Sequence, residues 1–134
     1  MTFSLFLVVM LCGGLGAVCR FLVDSAVKKA VSHSKRWSEH WSSFPAGTFV
    51  VNLTACLLVG FVAGLASSSL LPAAVATVVS TGFLGGYSTF STASVEGYRL
   101  IISGKGNLAF LYCAGMLLAS QLLAAAGYFL ASLF

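Results

Sequence analysis

Charged side chains are scarce in this sequence. Seven Lys and Arg and three acids make up 7% of 134 residues, against roughly 25% in a soluble domain. With 59% hydrophobic residues and a mean hydropathy of +1.01, that scarcity excludes a water-soluble globular chain and points to an integral membrane protein. The only acids are Asp24, Glu39 and Glu96, so no carboxylate pair exists for acid–base work. There is also no His–Ser or His–Cys arrangement and no phosphate-binding glycine loop before a strand, which argues against an enzyme. His33 and His40 lack metal-ligand spacing and read as loop residues. Cys12, Cys19, Cys56 and Cys113 form no CxxC pair, fall inside apolar stretches and read as small hydrophobes. A proton-coupled multidrug exporter needs an embedded carboxylate as its relay. The first, second and fourth apolar segments have none, which disfavours that class. What remains is a species held without a counter-ion, such as an anion met by amides, hydroxyls and the positive edges of aromatic rings.

Ser80–Ser94, reading STGFLGGYSTFSTAS, holds three glycines, seven Ser/Thr hydroxyls and two phenylalanines without a charge. It lies inside an apolar segment running from about Ala73 to Ile102. Polar, glycine-rich backbone at membrane depth survives only where it is buried in protein or lines a wet cavity. The segment has 30 residues where about 20 suffice to cross, which leaves room for a break between two half-helices.

The pattern predicts an all-α single domain of four spans, about 3–23, 46–66, 73–102 broken near 85–90, and 108–133, with a basic loop at 24–43. So small a bundle implies an oligomer. The first span carries Gly13, Gly14, Gly16 and Ala17, which let a neighbouring backbone approach closely. With no positive residues before it, it reads as a span and not as a leader peptide. Arg20 near its end either snorkels to the interface or is paired inside. In the loop, Ala26, Val27, Ala30 and Val31 share a helical face opposite Lys28 and Lys29, and Trp37 and Trp41 suit an interfacial belt. Lys35 and Arg36 read as solvated basic residues in preference to a nucleic-acid patch.

Phe44-Pro45 opens the second span, where Thr48 and Asn52 share a face. An Asn there needs a partner, with packing against another helix favoured over a pore ligand. Gly60 and Gly64 form a GxxxG contact. Ser67–Leu71 and Ser103–Asn107 read as turns, with Pro72 starting the third segment and Asn107 capping the fourth helix. Glu96 and Arg99 fit an i,i+3 pair, and Tyr112, Met116 and Ser120 lie on one helical face. All seven basic residues fall on the side of the first and third loops, which by the positive-inside rule places both termini outside. So lopsided a count favours one fixed orientation, and hence an oppositely oriented paralogue as partner.

Three motifs now stand in order: Gly13-Gly14-x-Gly16-Ala17-x-x-Arg20; Phe44-Pro45-x-Gly47-Thr48-x-x-x-Asn52; and Gly82-Phe83-x-Gly85-Gly86-x-Ser88-Thr89-Phe90-Ser91-Thr92. Together they resemble the Fluc/CrcB family of fluoride channels over nearly the whole chain. The resemblance implies antiparallel dimers of four-helix subunits with two pores and a structural sodium ion at the dimer centre. It implies that Gly85 and Ser88 offer backbone carbonyls to sodium, and that Asn52, Phe90, Tyr112 and Ser120 line or support the fluoride path. Thr48 and Thr89 would belong to the polar lining, and Arg20 would be the family's first-span arginine. Carbonyls at a half-helix C-terminus do favour a cation, and fluoride needs donors to replace its tightly held water. Two positions depart from the family pattern: Ala93 stands where a second phenylalanine is usual, and Met116 where a serine is. Tyr87 and Ser88 replacing Phe and Thr are milder changes. The resulting expectation is a passive, fluoride-selective channel subunit in the plasma membrane that exports cytoplasmic fluoride. The alternative is a non-conducting or half-active partner in a heterodimer.

Overall fold

The computed structural model describes residues 2–33 and 43–134, and among them all regular structure is helical. Helix α1 is Phe3–Ser32, α2 Ala46–Ser67, and α3 Ala73–Thr77, which runs on through a π-helical segment, Val78–Leu84, into α4, Gly85–Tyr87. After a break come α5, Phe90–Ile102, and α6, Gly106–Ala131. Three of these, α1, α2 and α6, are long and apolar enough to cross a membrane. Lys35, Arg36, Trp37, Glu39, His40 and Trp41 lie outside the described residues.

Several boundaries differ from the sequence reading. Helix α1 does not stop at Val23 but continues nine residues to Ser32, through the stretch assigned to the loop. The amphipathic face there keeps the helix going, and Lys28 Nζ donates to Asp24 Oδ2 at 2.7 Å across one turn. His33 is the C-cap residue of this helix. At α6 the cap position belongs to Lys105, whose side chain caps nothing, and Asn107 lies inside the first turn. The tight turn at Gly104 (φ 77°) brings the chain round early enough for the helix to begin at Gly106. Pro45 and Pro72 stand at the cap positions of α2 and α3, where a missing N–H is harmless.

Lipid gives helices no hydrophobic reason to associate, so close backbone approach has to hold them together. Gly60 faces the Ala124 carbonyl and Gly64 the Tyr128 carbonyl at positions where a Cβ would collide. Gly127 does the same against the Leu57 carbonyl, so the GxxxG signal marks a real seam between α2 and α6. On the other side, Gly16 meets the Phe83 carbonyl and Gly86 the Gly13 carbonyl, which presses α1 onto the segment just before the break. The order of contacts makes α2 and α6 run the same way, and α1 run with the broken segment against them. Two buried clusters follow: Val51, Ala55, Leu84 and Tyr87 on one side of the break, and Ala93, Leu100, Ala109 and Tyr112 on the other. Phe6, Leu11 and Leu15 on α1 and Leu118, Leu122 and Phe129 on α6 stand exposed, as a lipid-facing surface requires.

The seam makes a direct prediction. Gly127→Ala places a methyl on the Leu57 carbonyl and costs about 1–3 kcal/mol of overpacking. Gly115→Ala, whose nearest neighbour is a Phe49 ring carbon at 4.0 Å, is near neutral. Thermal unfolding in detergent compares the two, and equal stability would show that the seam is not tightly packed.

Candidate functional site

The break is two residues long. Ser88 (φ −73°, ψ 160°) and Thr89 (φ −151°, ψ 118°) leave helical geometry, and α5 starts again at Phe90. A broken helix exposes carbonyls at one end and N–H groups at the other, and both need partners at membrane depth. Asn52 on α2 serves both sides of one residue: its Nδ2 donates to the Thr89 carbonyl at 2.9 Å, and its Oδ1 accepts from the Thr89 N–H at 2.8 Å. Both bonds are buried. The partner that the sequence demanded for Asn52 is therefore the backbone of the break itself.

That pairing has a consequence one turn earlier. In an unbroken helix the Thr89 N–H would bond to the Gly85 carbonyl, four residues back. Asn52 diverts it. In the same way the Thr92 N–H, which would serve the Ser88 carbonyl, goes instead to the Thr89 hydroxyl at 3.3 Å, the N-cap bond of α5. Two side chains thus release two carbonyls, on Gly85 and Ser88, the pair that the family resemblance nominated for sodium. Gly85 is exposed and Ser88 half-buried on the single chain.

A cavity of about 460 Å³ lies beside the break. Asn52, Phe90, Tyr112 and Ser120 all line it, together with Ser88, Thr89 and the departing residues Ala93 and Met116, and no charged side chain is among its lining. A smaller cavity of about 170 Å³ takes Arg20, Asp24, Thr48 and Thr92. Thr89 lines both. Thr48 and Arg20 therefore stand on the far side of the Asn52–Thr89 pair from the other predicted residues. Phe90 lines this cavity yet is 88% exposed on the single chain, so it stands at the cavity's open side.

The charges are arranged around this neutral centre. Among the described residues Arg20 makes no ion pair, and the Asp24 carboxylate that shares its cavity is tied to Lys28 through one oxygen. The other oxygen, Oδ1, is buried without a donor and fills the space where Gly47 lacks a side chain, against the first turn of α2. The positive end of that helix suits it. Glu96 does not pair with Arg99. It accepts instead from the Tyr112 hydroxyl at 3.0 Å, because α5 packs on α6 there and a buried phenol needs an acceptor.

Around the departures the structure supplies other groups. The Tyr112 ring beside Ala93 is met edge-on by Phe44 (5.6 Å between centroids, 87°) and by a tilted Phe49 (6.2 Å, 41°). Met116 Sδ accepts from Asn52 Nδ2 at 3.4 Å, where the family pattern would put a hydroxyl. Neither phenylalanine was singled out in the sequence as a site residue. Phe49 does follow Thr48 in the helix that carries Asn52.

A family profile described as "CrcB-like protein, Camphor Resistance (CrcB)" matches residues 7–128. The chain is 37% identical over 129 residues to "Fluoride-specific ion channel FluC" of Hydrogenobaculum sp., covering 96% of this chain and 98% of the relative. It is 43% identical over 100 residues to "Fluoride-specific ion channel FluC 2" of Mycobacterium tuberculosis H37Rv, covering 75% and 69%. With "Fluoride-specific ion channel FluC 1" of Bacillus cereus it shares 32% over 125 residues, covering 92% and 85%.

Asn52→Ala strips the break of both partners. It costs about 1–3 kcal/mol for each backbone group left unmet, and faster amide exchange over residues 84–92 should accompany the lower melting temperature. A variant as stable and as protected as the parent would mean that the clamp is not what holds the break.

Proposed function

The chain belongs to the CrcB family, a family of ion channels and not of enzymes, and from that premise we propose that it is a subunit of a passive, fluoride-selective channel. The observation that carries this reading is the uncharged cavity beside the break, where an amide, hydroxyls and aromatic edges converge. Fluoride holds its water strongly, so entry needs donors. Asn52 Nδ2, Ser120 and the edge of Phe90 supply them without a fixed positive charge that would trap the ion. Transport is then downhill and exports fluoride that accumulates when HF enters and dissociates in the cytoplasm.

The subunit pairs in antiparallel fashion, which gives the exposed Phe90 a surface to pack on. A sodium ion at the dimer centre would draw on the Gly85 and Ser88 carbonyls, which Asn52 and Thr89 leave free. Such hard, neutral oxygens at a helix C-terminus suit a monovalent cation. Arg20, Lys28, Lys29, Lys35, Arg36, Arg99 and Lys105 all belong to one side, and Lys105 Nζ donates to Ser43 Oγ where the first and third connections meet. With that side cytoplasmic, both termini lie outside the plasma membrane. A fixed orientation calls for an oppositely inserted paralogue, and relatives numbered 1, 2 and 3 in their names are in keeping with more than one such chain per genome.

The same bias favours a second reading, in which this chain alone is a weak or silent half. Losing a ring edge at Ala93 and a hydroxyl at Met116 removes two donors at about 1–3 kcal/mol each, enough to slow passage by one or more decades. Efflux from liposomes tests both. We expect fluoride flux that an uncoupler does not abolish, with chloride far slower; equal chloride flux, or loss with the uncoupler, overturns the channel. Flux from this chain alone is weak or absent and recovers with an oppositely oriented paralogue. The double variant Ala93→Phe, Met116→Ser raises it, since the cavity beside Ala93 has room for a ring. Full fluoride flux from the unmodified chain alone would defeat the half-active reading.

Labelling of a cysteine added in a C-terminal tag, done on intact cells, is expected from the outer face only. Equal labelling from both faces would defeat the fixed orientation.

A further inference from the structure

Asn52 grips the break from one side, at Thr89. The other side is also held. Tyr87 is the last helical residue before the break, and its hydroxyl lies 3.0 Å from Thr54 Oγ1 on α2, two residues beyond Asn52. The Thr54 hydroxyl is within 2.9 Å of the Val50 carbonyl and 3.0 Å of the Val51 carbonyl, so its own hydrogen is committed to its helix. Tyr87 is therefore the donor and Thr54 the acceptor. The Tyr87 ring is buried with Val51, Ala55 and Leu84 and stacks on Phe83 (6.2 Å, 7°). Among the described residues, a hydroxyl in that setting is satisfied only through Thr54.

We infer that the Tyr87–Thr54 hydrogen bond is the second of two clamps by which α2 fixes the break, making Tyr87 a positioning residue for the carbonyls of Gly85 and Ser88. The geometry requires two points. Asn52 fixes Thr89, beyond the break, while α4, continuous with the π-helical segment and seated on α1 at Gly86, meets α2 through its own hydrogen bond at Tyr87. Ser88 and Thr89 are extended, so the Asn52 bonds at Thr89 do not by themselves set where the end of α4 stands against α2. Gly85 offers no side chain to anchor it, and Gly86 is pressed on Gly13. Among the described residues, the hydroxyl of Tyr87 makes the one polar tie from α4 to α2. A phenylalanine at this position would fill the same space and leave that tie to α2 unmade. The cation part of this inference rests on the sodium reading above; the clamp itself does not.

The test uses the full chain purified in detergent, with Tyr87→Phe, Thr54→Val and the double variant. Tyr128→Phe is the matched control, since it loses a hydroxyl contact to Ser67 (3.2 Å) far from the break. Amide exchange over 84–92 and the sodium concentration for half-maximal thermal stabilisation are read in each. Tyr87→Phe should speed exchange over 84–92 roughly tenfold, the equivalent of one net hydrogen bond, and raise the sodium midpoint several-fold. Thr54→Val should do more, because it strands the buried Tyr87 hydroxyl, and the double variant should return to the Tyr87→Phe level. Tyr128→Phe should move neither reading. Exchange in Tyr87→Phe no faster than in Tyr128→Phe, or a double variant worse than Thr54→Val, overturns the clamp. Faster exchange with an unmoved sodium midpoint overturns the positioning role. A parent chain indifferent to sodium overturns the sodium reading, and the exchange comparison then decides the clamp by itself.

Discussion

The paired hydrogen bonds between the Asn52 carboxamide and the Thr89 backbone are the constraint on which this structure depends. A break in a helix at membrane depth has nowhere to send its amides and carbonyls except to protein. One carboxamide supplies a donor and an acceptor in the right separation to close both groups of a single extended residue. Thr89 closes the next amide with its own hydroxyl. Everything else about the site follows from these diversions: the chain can turn, α5 can begin, and the Gly85 and Ser88 carbonyls lose their usual partners. The site is thus made by side chains that occupy backbone donors, and no ionised group is needed to build it.

Such a break is tolerable only in a rigid frame, and lipid does not supply one. The close seam between α2 and α6 at Gly60, Gly64 and Gly127 fixes the helix that carries Asn52 relative to the helix that carries Tyr112 and Met116. The Gly16–Phe83 and Gly86–Gly13 approaches fix the other side, holding the π-helical segment and α4 against α1. With both flanks held, the position of Thr89 relative to Asn52 is determined to hydrogen-bonding accuracy.

Much of this was legible in the sequence, for identifiable reasons. The polar, glycine-rich run inside an apolar segment located the break within the 85–90 window, because membrane depth makes such a run intolerable elsewhere. Residues four apart on one helix, Tyr112, Met116 and Ser120, necessarily share a face and do line one cavity. The misses concern what one helix cannot reveal. Helix α1 runs on because its polar face continues an amphipathic pattern, and hydropathy alone ends it at Val23. Glu96 had a cation at i,i+3 but found a phenol on another helix. Thr48 and Arg20 fall beyond the Asn52–Thr89 pair because α1 and α2 meet there, a fact of packing. Tyr87 read as a mild replacement because its partner, Thr54, lies 33 residues away.

The two departures from the family pattern act by different physical routes. Ala93 takes away a ring and leaves space, with the Phe44–Tyr112–Phe49 group packed in the same buried cluster. Met116 acts through Asn52. One N–H of that carboxamide is spent on Thr89, and the other meets a thioether sulfur at 3.4 Å. Sulfur is a weak acceptor, so this second N–H stays available to an anion in the cavity and is already oriented by the first bond. A serine would accept the same N–H more strongly while offering a donor of its own. The methionine therefore removes one donor from the lining and loosens the hold on another, which only partly offsets the loss. Ala93 offers no such compensation, and of the two it is the one that takes an aromatic edge from the cavity, leaving those of Phe90 and Tyr112.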